Sequence, residues 1–307
     1  MFTPNKKQKI FWLTTLIGMA VFFTTLAGAQ AQVSTKIEEK LSQTQKEVDK
    51  LFEIKDSTQI SPEEKERLEK ESRVKIIFNV VDLSQIQLEE LKEAWKNIPN
   101  FPEAEDWQKI RELFLREMEK SQEYWGETKD SFEEEKESLD IDGLKILAKK
   151  IEKEKTAQID PVIERASDII MTFDLTEMLK VVDQRLEKVK SDINKIYSKK
   201  LTQNPLLKNL LIQTSDYISQ AHQYNDRSKQ LILHLYGDQD TSSAEELLKE
   251  LRRQFGKGGG DFSSEEENIK EEGHRYIREL TVLSFEKIKS AYELFVRMSL
   301  VAKQLVK

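Results

Sequence analysis

Residues 175–196, LTEMLKVVDQRLEKVKSDINKI, are the stretch that decides the fold. Leu175, Leu179, Val182, Leu186, Val189, Ile193 and Ile196 alternate steps of four and three, and the residues between them are mostly charged or amide. That period belongs to one face of an α-helix; a strand face would repeat every two residues. Written as heptads, Leu179, Leu186 and Ile193 fall at a, and Leu175, Val182, Val189 and Ile196 at d. Leu at a with β-branched residues at d favours three or more helices over a parallel pair. Three heptads are short for a free-standing coiled coil, so the segment reads as one helix of an intramolecular bundle. These seven residues are the candidate helix–helix interface.

The same periodicity extends outward in both directions. Toward the N-terminus, residues 34–54 carry Ile37, Leu41, Val48, Leu51 and Phe52 at helical spacing. Ser61-Pro62-Glu63-Glu64 is a helix start, with a Ser cap, Pro in the first turn and Glu64 able to reach back to the cap. The run VKIIFNVV that follows is β-branched enough for a strand but has no second strand to pair with, so it is read as helix, burying Val74, Ile77, Phe78 and Val81. Ser84 to Gln87 repeats the capping pattern and predicts a new helix to about Asn97, ended by Pro99 and Pro102. Glu103 to Trp125 predicts another, with Trp107, Ile110, Phe114 and Met118 on one side. Residues 126–143 read as a soft hinge, and Asp160-Pro161 as a further helix start.

Toward the C-terminus, Pro205 opens a helix to Tyr236 whose seam alternates large and small through Leu210, Thr214, Tyr217, Ala221, Tyr224, Ser228, Leu231 and Leu235. Such alternation lets facing helices approach closely. A short helix over 244–255 leads into GKGGGD, and Ser264 caps a long helix of about 43 residues to the end of the chain. The expectation is an all-α fold, an elongated antiparallel helical bundle with coiled-coil-like helices. It divides into one helical region over 32–200 and a second over 201–307, with a Gly-rich hinge near 256–260.

The N-terminus has a different character. Lys6, Lys7 and Lys9 precede an apolar run from Ile10 to Ala27 broken only by Thr and Gly, and no acid occurs in the first 31 positions. Ala27-Gly28-Ala29 and Ala29-Gln30-Ala31 then supply two overlapping small-x-small sites. These are the three parts of a secretory signal peptide, residues 1–31, with cleavage after Ala29 or Ala31. Uncut, the run over 10–27 would serve as a membrane anchor of minimal length. Either way the positive start leaves residue 32 onward outside the cytoplasm, periplasmic or extracellular. Lipoprotein processing is excluded, because the chain has no Cys to carry the lipid.

Composition narrows the function classes. Removing residues 1–31 removes three lysines and no acid, so the net charge goes from −7 to −10. That opposes generic nucleic-acid binding, which needs a basic face. Without Cys there is no disulfide framework, thiolate nucleophile or Cys-ligated zinc. Gly256-Lys257-Gly258-Gly259-Gly260 lacks the spacing, the preceding strand and the Ser or Thr of a phosphate loop, and reads as a hinge. SLDIDG, 138–143, has acids at two calcium-loop positions but Lys149 where a bidentate Glu is required. Glu271-x-x-His274 is half of a di-iron bundle motif whose other half is missing. No catalytic, metal or cofactor site is assigned; Glu271 and His274 are the only pair an enzyme reading could nominate.

Trp95, Trp107 and Trp125, near Phe101, Phe114 and Tyr124, would line a ligand groove if exposed and would form core if buried. The sequence therefore implies an exported, non-catalytic interaction or scaffold protein of the cell envelope. Its partners are proteins or further copies of itself, met through helix faces; it does not bind nucleic acid, and it meets a membrane only if the N-terminal segment is kept. A periplasmic chaperone or apolar-ligand carrier is the alternative. Intact mass of the protein recovered from its native envelope checks the processing: a chain beginning at Gln30 or Gln32 is expected, and retention of residues 1–31 would contradict cleavage.

Overall fold

The computed structural model describes residues 33–198, 204–237, 242–255 and 266–306, and among these every regular element is helical. The signal segment, with Ala29, Ala31 and the apolar run 10–27, lies outside the described residues, as do the hinge 256–260 and the Ser264 cap. The helices are α1 (Val33–Asp56), α2 (Pro62–Lys96), α3 (Glu105–Glu135), α4 (Ile141–Glu154), α5 (Asp160–Ser198), α6 (Pro205–Tyr236), α7 (Ser242–Phe255) and α8 (Glu266–Val306). A π-helical turn, Lys155–Ile159, joins α4 to α5. The chain forms two compact units. One takes the chain up to Glu93 together with Arg116–Ile163, and the other takes Ala94–Leu115 with the chain from Glu164 onward. The expected division near residue 200 falls inside the second of these.

Two sequence signals for helix boundaries are overridden, and a third is met without a loop before it. Ser84 does not start a helix: α2 runs through it for 35 residues, and its hydroxyl bonds back to the Val80 carbonyl at 2.9 Å. Leu83, Leu88 and Leu91 are buried on the continuing helix, and that burial outweighs the local preference for a cap. Gly126 likewise sits inside α3, which continues to Glu135; the break comes only at 136–140, where Asp140 caps α4 by accepting from the Gly143 N–H at 2.7 Å. Asp160-Pro161 does open a helix, α5 beginning at Asp160, but it follows α4 through a π turn and not through a loop. Pro161 has no N–H to continue an α-helical ladder, and the chain widens there to a π turn in which the Asp160 N–H donates to the Lys155 carbonyl.

In the first unit, α1, α2, α3 and α4 bury Ile37, Leu51, Ile77, Val81, Trp125, Phe132 and Leu144. Asp82 of α2 ties three helices together, accepting Lys40 of α1 and Lys129 of α3 at 2.9 Å each. Partial burial pushes its carboxyl up, but the two lysine hydrogen bonds outweigh that and hold it below the usual carboxylate range.

In the second unit, α5, α6 and α8 form a three-helix bundle. The seam residues Leu175, Leu179, Val182, Leu186 and Ile193 share one core with Leu207, Leu210, Ile218 and Ala221 of α6 and Ile288, Ala291, Leu294, Phe295 and Met298 of α8. Contacts between α5 and α8 climb together, from Asp168–Arg278 through Thr172–Thr281 to Arg185–Tyr292, so these two helices are parallel neighbours. Those of α6 run the other way: Ser228 meets Thr172, Asn225 meets Thr176 and His222 meets Asp183. The observed α6 seam passes through Ile218 and Asn225, one residue beyond the expected Tyr217 and Tyr224. Each Tyr stands half-buried at the margin, where its hydroxyl can reach solvent, whereas Asn225 Nδ2 donates inside the bundle to the Thr176 hydroxyl at 2.9 Å. Lower down, Gly273 lets α8 approach α6: a Cβ there would lie 2.4 Å from Leu235 Cδ1.

The segment Ala94–Leu115 closes one end of this bundle with aromatic contacts. Trp95 stacks near Phe114 (4.9 Å between centroids), and Phe101 and Trp107 both meet Phe173 of α5 at 5.0 and 5.3 Å. Asn100, in the turn before α3, takes a left-handed φ of 54°, which Asn tolerates, and its amide donates to Glu177 Oε1 at 2.8 Å. Replacing Leu179 by Ala should cost about 2–5 kcal/mol in urea unfolding, the usual price of an unfilled core site. Ser84→Ala should cost less than the ~1 kcal/mol of a lost helix cap and leave helicity unchanged; a loss of helicity on Ser84→Ala would contradict the continuous α2.

Candidate functional site

The seam expected from sequence divides into two parts in the structure. Leu175, Leu179, Val182, Leu186 and Ile193 are buried within the chain itself, whereas Val189 and Ile196 are only half-buried. The reason is the number of helices present. At the end of the bundle nearest Phe173, the Ala94–Leu115 segment and α7 flank the three helices: Trp107 meets Phe173, and Arg252 of α7 forms a paired hydrogen bond with Glu272 of α8. Beyond about residue 185 of α5, among the described residues of this unit only α6 shares the core with α5 and α8.

What is left is an open groove of about 940 Å³ between α5 and α8. Its apolar lining is Val181, Val189, Ile193 and Ile196 from α5 with Phe295, Met298 and Ala302 from α8. Tyr292 stands on the α8 wall, and the ridge continues outward through Val296 and Leu300, each 57% exposed, at steps of four residues. Val181, the first apolar residue on the α5 wall, is 55% exposed. Isolated exposed apolar residues are ordinary, but a contiguous set along one groove marks an interaction surface.

The groove has a charged rim. Arg185, Lys188 and Lys303 line it, with Asp192 as the one acid. Asp192 accepts from Lys195 at 3.2 Å, so its charge is already matched. The Arg185 guanidinium lies over two rings of α8, 5.3 Å from the Tyr292 centroid and 5.6 Å from that of Phe295. A cation held against aromatic rings is pre-positioned, and the contact pins the α5 wall to the α8 wall. From sequence, Val189, Ile193 and Ile196 were legible as interface residues. Tyr292, Phe295, Arg185, Lys188 and Lys303 were not, because their role follows from which helices stand side by side.

Glu271 and His274 do not form a joint site. Glu271 points to solvent, while His274 is buried, with its Nε2 hydrogen-bonded to the Tyr236 hydroxyl and its Nδ1 without a partner. Nearby, Asp168 is buried and accepts from Arg278 Nε at 3.1 Å; Arg278 also reaches Glu164 at 3.2 Å. Among the described residues no group of three or more His, Asp or Glu is arranged to hold a metal ion. Trp95 and Trp125 are fully buried, in different units, and Trp107 is half-buried, so the three tryptophans are not brought together on one surface. No protein-family model, no curated protein and no solved structure matches this chain.

Two buried titratable groups act on stability with opposite signs. Burial pulls the His274 imidazole down from 6.5 to about 3, with the charges of Arg165 and Arg278 adding to the effect. The unfolded chain then takes up a proton the folded chain refuses, so this contribution to stability is present above pH 6.5 and lost as pH falls toward 3. Burial pushes the Asp168 carboxyl up from 3.8 to about 6, against the pull of Arg278. Its contribution is present below 3.8 and lost as pH rises through 6. The His274 contribution therefore declines on acidification below pH 6.5, whereas Asp168 and Glu90, whose carboxyl burial pushes up to about 7, contribute with the opposite sign. His274→Gln, which keeps a partner for Tyr236, should flatten that loss in denaturant titrations; parallel curves for the two proteins would contradict the assignment.

Proposed function

We propose that this chain is an exported, non-catalytic interaction protein of the cell envelope that receives a helix of a partner in the α5–α8 groove. The observation that carries the reading is the groove itself: two parallel helices, an apolar floor that repeats at heptad spacing, and no helix of the chain laid along it among the described residues. A helix placed there would complete a four-helix arrangement and cover Val189, Ile196, Tyr292 and Ala302, the usual geometry of helix-in-groove recognition. Export rests on the positive, apolar and Ala-x-Ala parts of residues 1–31. Among the described residues no helix is long and apolar enough to cross a membrane.

A second reading, an apolar-ligand carrier, draws support from the same groove, since small-molecule sites occupy roughly 300–1,000 Å³. Native mass spectrometry of the protein recovered from its envelope separates the two: a retained small molecule favours the carrier. For the interaction reading, a photo-crosslinking residue placed at Ser299 in intact cells should give a discrete protein adduct, and one at the exposed Ile146 of the first unit should not. No adduct from Ser299, or the same adducts from both positions, would contradict it.

A further inference from the structure

Resting on the groove reading above, we infer that the occupant is an acidic amphipathic helix, its apolar stripe on the groove floor and its carboxylates on Arg185, Lys188 and Lys303. The charge of the site points this way. Among the described residues no acid pairs with Arg185, Lys188 or Lys303, in contrast to Lys180 and Lys190 on the same helix and Arg252 and Arg278 elsewhere in the bundle. The only acid on the rim, Asp192, is taken by Lys195. Three uncompensated cations thus border an apolar floor, in a chain whose net charge is −7.

Their placement also fits a helix. Arg185 and Lys188 stand one turn apart on the α5 wall and Lys303 on the α8 wall, so both edges of an inserted helix would meet a cation. In bundles of this kind, residues flanking the apolar stripe decide partner and orientation by charge. Arg185 is the most specific of the three. Its Cζ is held near the Tyr292 and Phe295 rings, and its guanidinium can bind a carboxylate in a paired fashion. A second copy presenting the same face would bring like charges together across the two-fold axis, which disfavours self-pairing through this groove.

The test uses the full exported chain and two fluorescein-labelled 21-residue peptides, both with Leu at a and d, one with Glu and the other with Lys at e and g. Like charges at e and g keep each peptide from pairing with itself. In anisotropy titrations the Glu peptide should bind at least about tenfold more tightly than its Lys twin. The preference should shrink as salt rises from about 50 to about 200 mM. The double variant Lys188→Glu, Lys303→Glu changes two surface positions and should reverse the preference with thermal unfolding unchanged.

Equal or tighter binding of the Lys peptide would overturn the acidic occupant while leaving the groove reading intact. Binding of neither peptide would remove the groove reading with it. Tighter binding of phosphatidylglycerol vesicles than of the Glu peptide, lost in the double variant, would overturn the proposal in favour of a lipid surface. A concentration-dependent dimer that the double variant abolishes would overturn it in favour of self-association.

Discussion

Helix α5 carries an apolar stripe too wide for one neighbour to cover, and the second unit is built around that constraint. Its a and d positions, Leu179, Leu186 and Ile193 on one side and Leu175 and Val182 on the other, demand contacts from two directions at once. Helix α6 meets the stripe from one side and α8 from the other, and the three share a single core. Full burial of one Leu or Ile is worth about 1.5–3 kcal/mol, so the five buried seam residues together outweigh any local boundary preference along the helix. That is why α5 runs for 39 residues and α8 for 41 with no break.

Apolar burial alone would leave the sliding of one helix along another poorly specified. The register comes from a lane of small polar groups at the Phe173 end of the bundle. The Thr172 hydroxyl lies 3.0 Å from that of Ser228 and 3.2 Å from that of Thr281, one residue from each of the three helices. Asn225 reaches Thr176, and the Ser284 hydroxyl donates to the Ala221 carbonyl. Moving any helix by a turn would part these groups from their partners on the neighbouring helices, while Thr172 would keep its bond to the Asp168 carbonyl of its own helix. The opposite end of the bundle has an apolar core between the same helices, and there the structure leaves the α5–α8 face open.

The parts of this fold legible in the sequence are those fixed by one helix at a time. The seam of α5, the Asn204-Pro205 start of α6, where Asn204 accepts from the Leu206 N–H at 2.9 Å, and the apolar stripe of α8 can each be read from spacing and capping chemistry. What misled were local signals that tertiary burial overrides. Ser84 carries a capping pattern but sits among buried leucines, and Gly126 reads as a hinge but lies inside α3. The large-small alternation points to Tyr217 and Tyr224, yet their hydroxyls draw them to the margin, and Ile218 and Asn225 take the seam. The groove was half legible. Val189 and Ile196 announced an apolar surface, but whether that surface is covered depends on how many helices surround it, which no local pattern encodes.

The groove reading therefore depends on α5 and α8 being parallel neighbours in the stated register. The absence of native Cys makes paired spin labels simple to place. Labels at Asp192 and Ser299, which face the same groove, should report a short separation, and labels at Asp192 and Lys270 a long one. Residues 270 and 299 are 29 positions apart on one helix, roughly 44 Å at 1.5 Å per residue. A short distance for 192–299 with a distance near 40 Å for 192–270 is the result this structure requires. The reverse order, or two similar distances, would mean that α5 and α8 do not run side by side in parallel and that the groove between them does not exist.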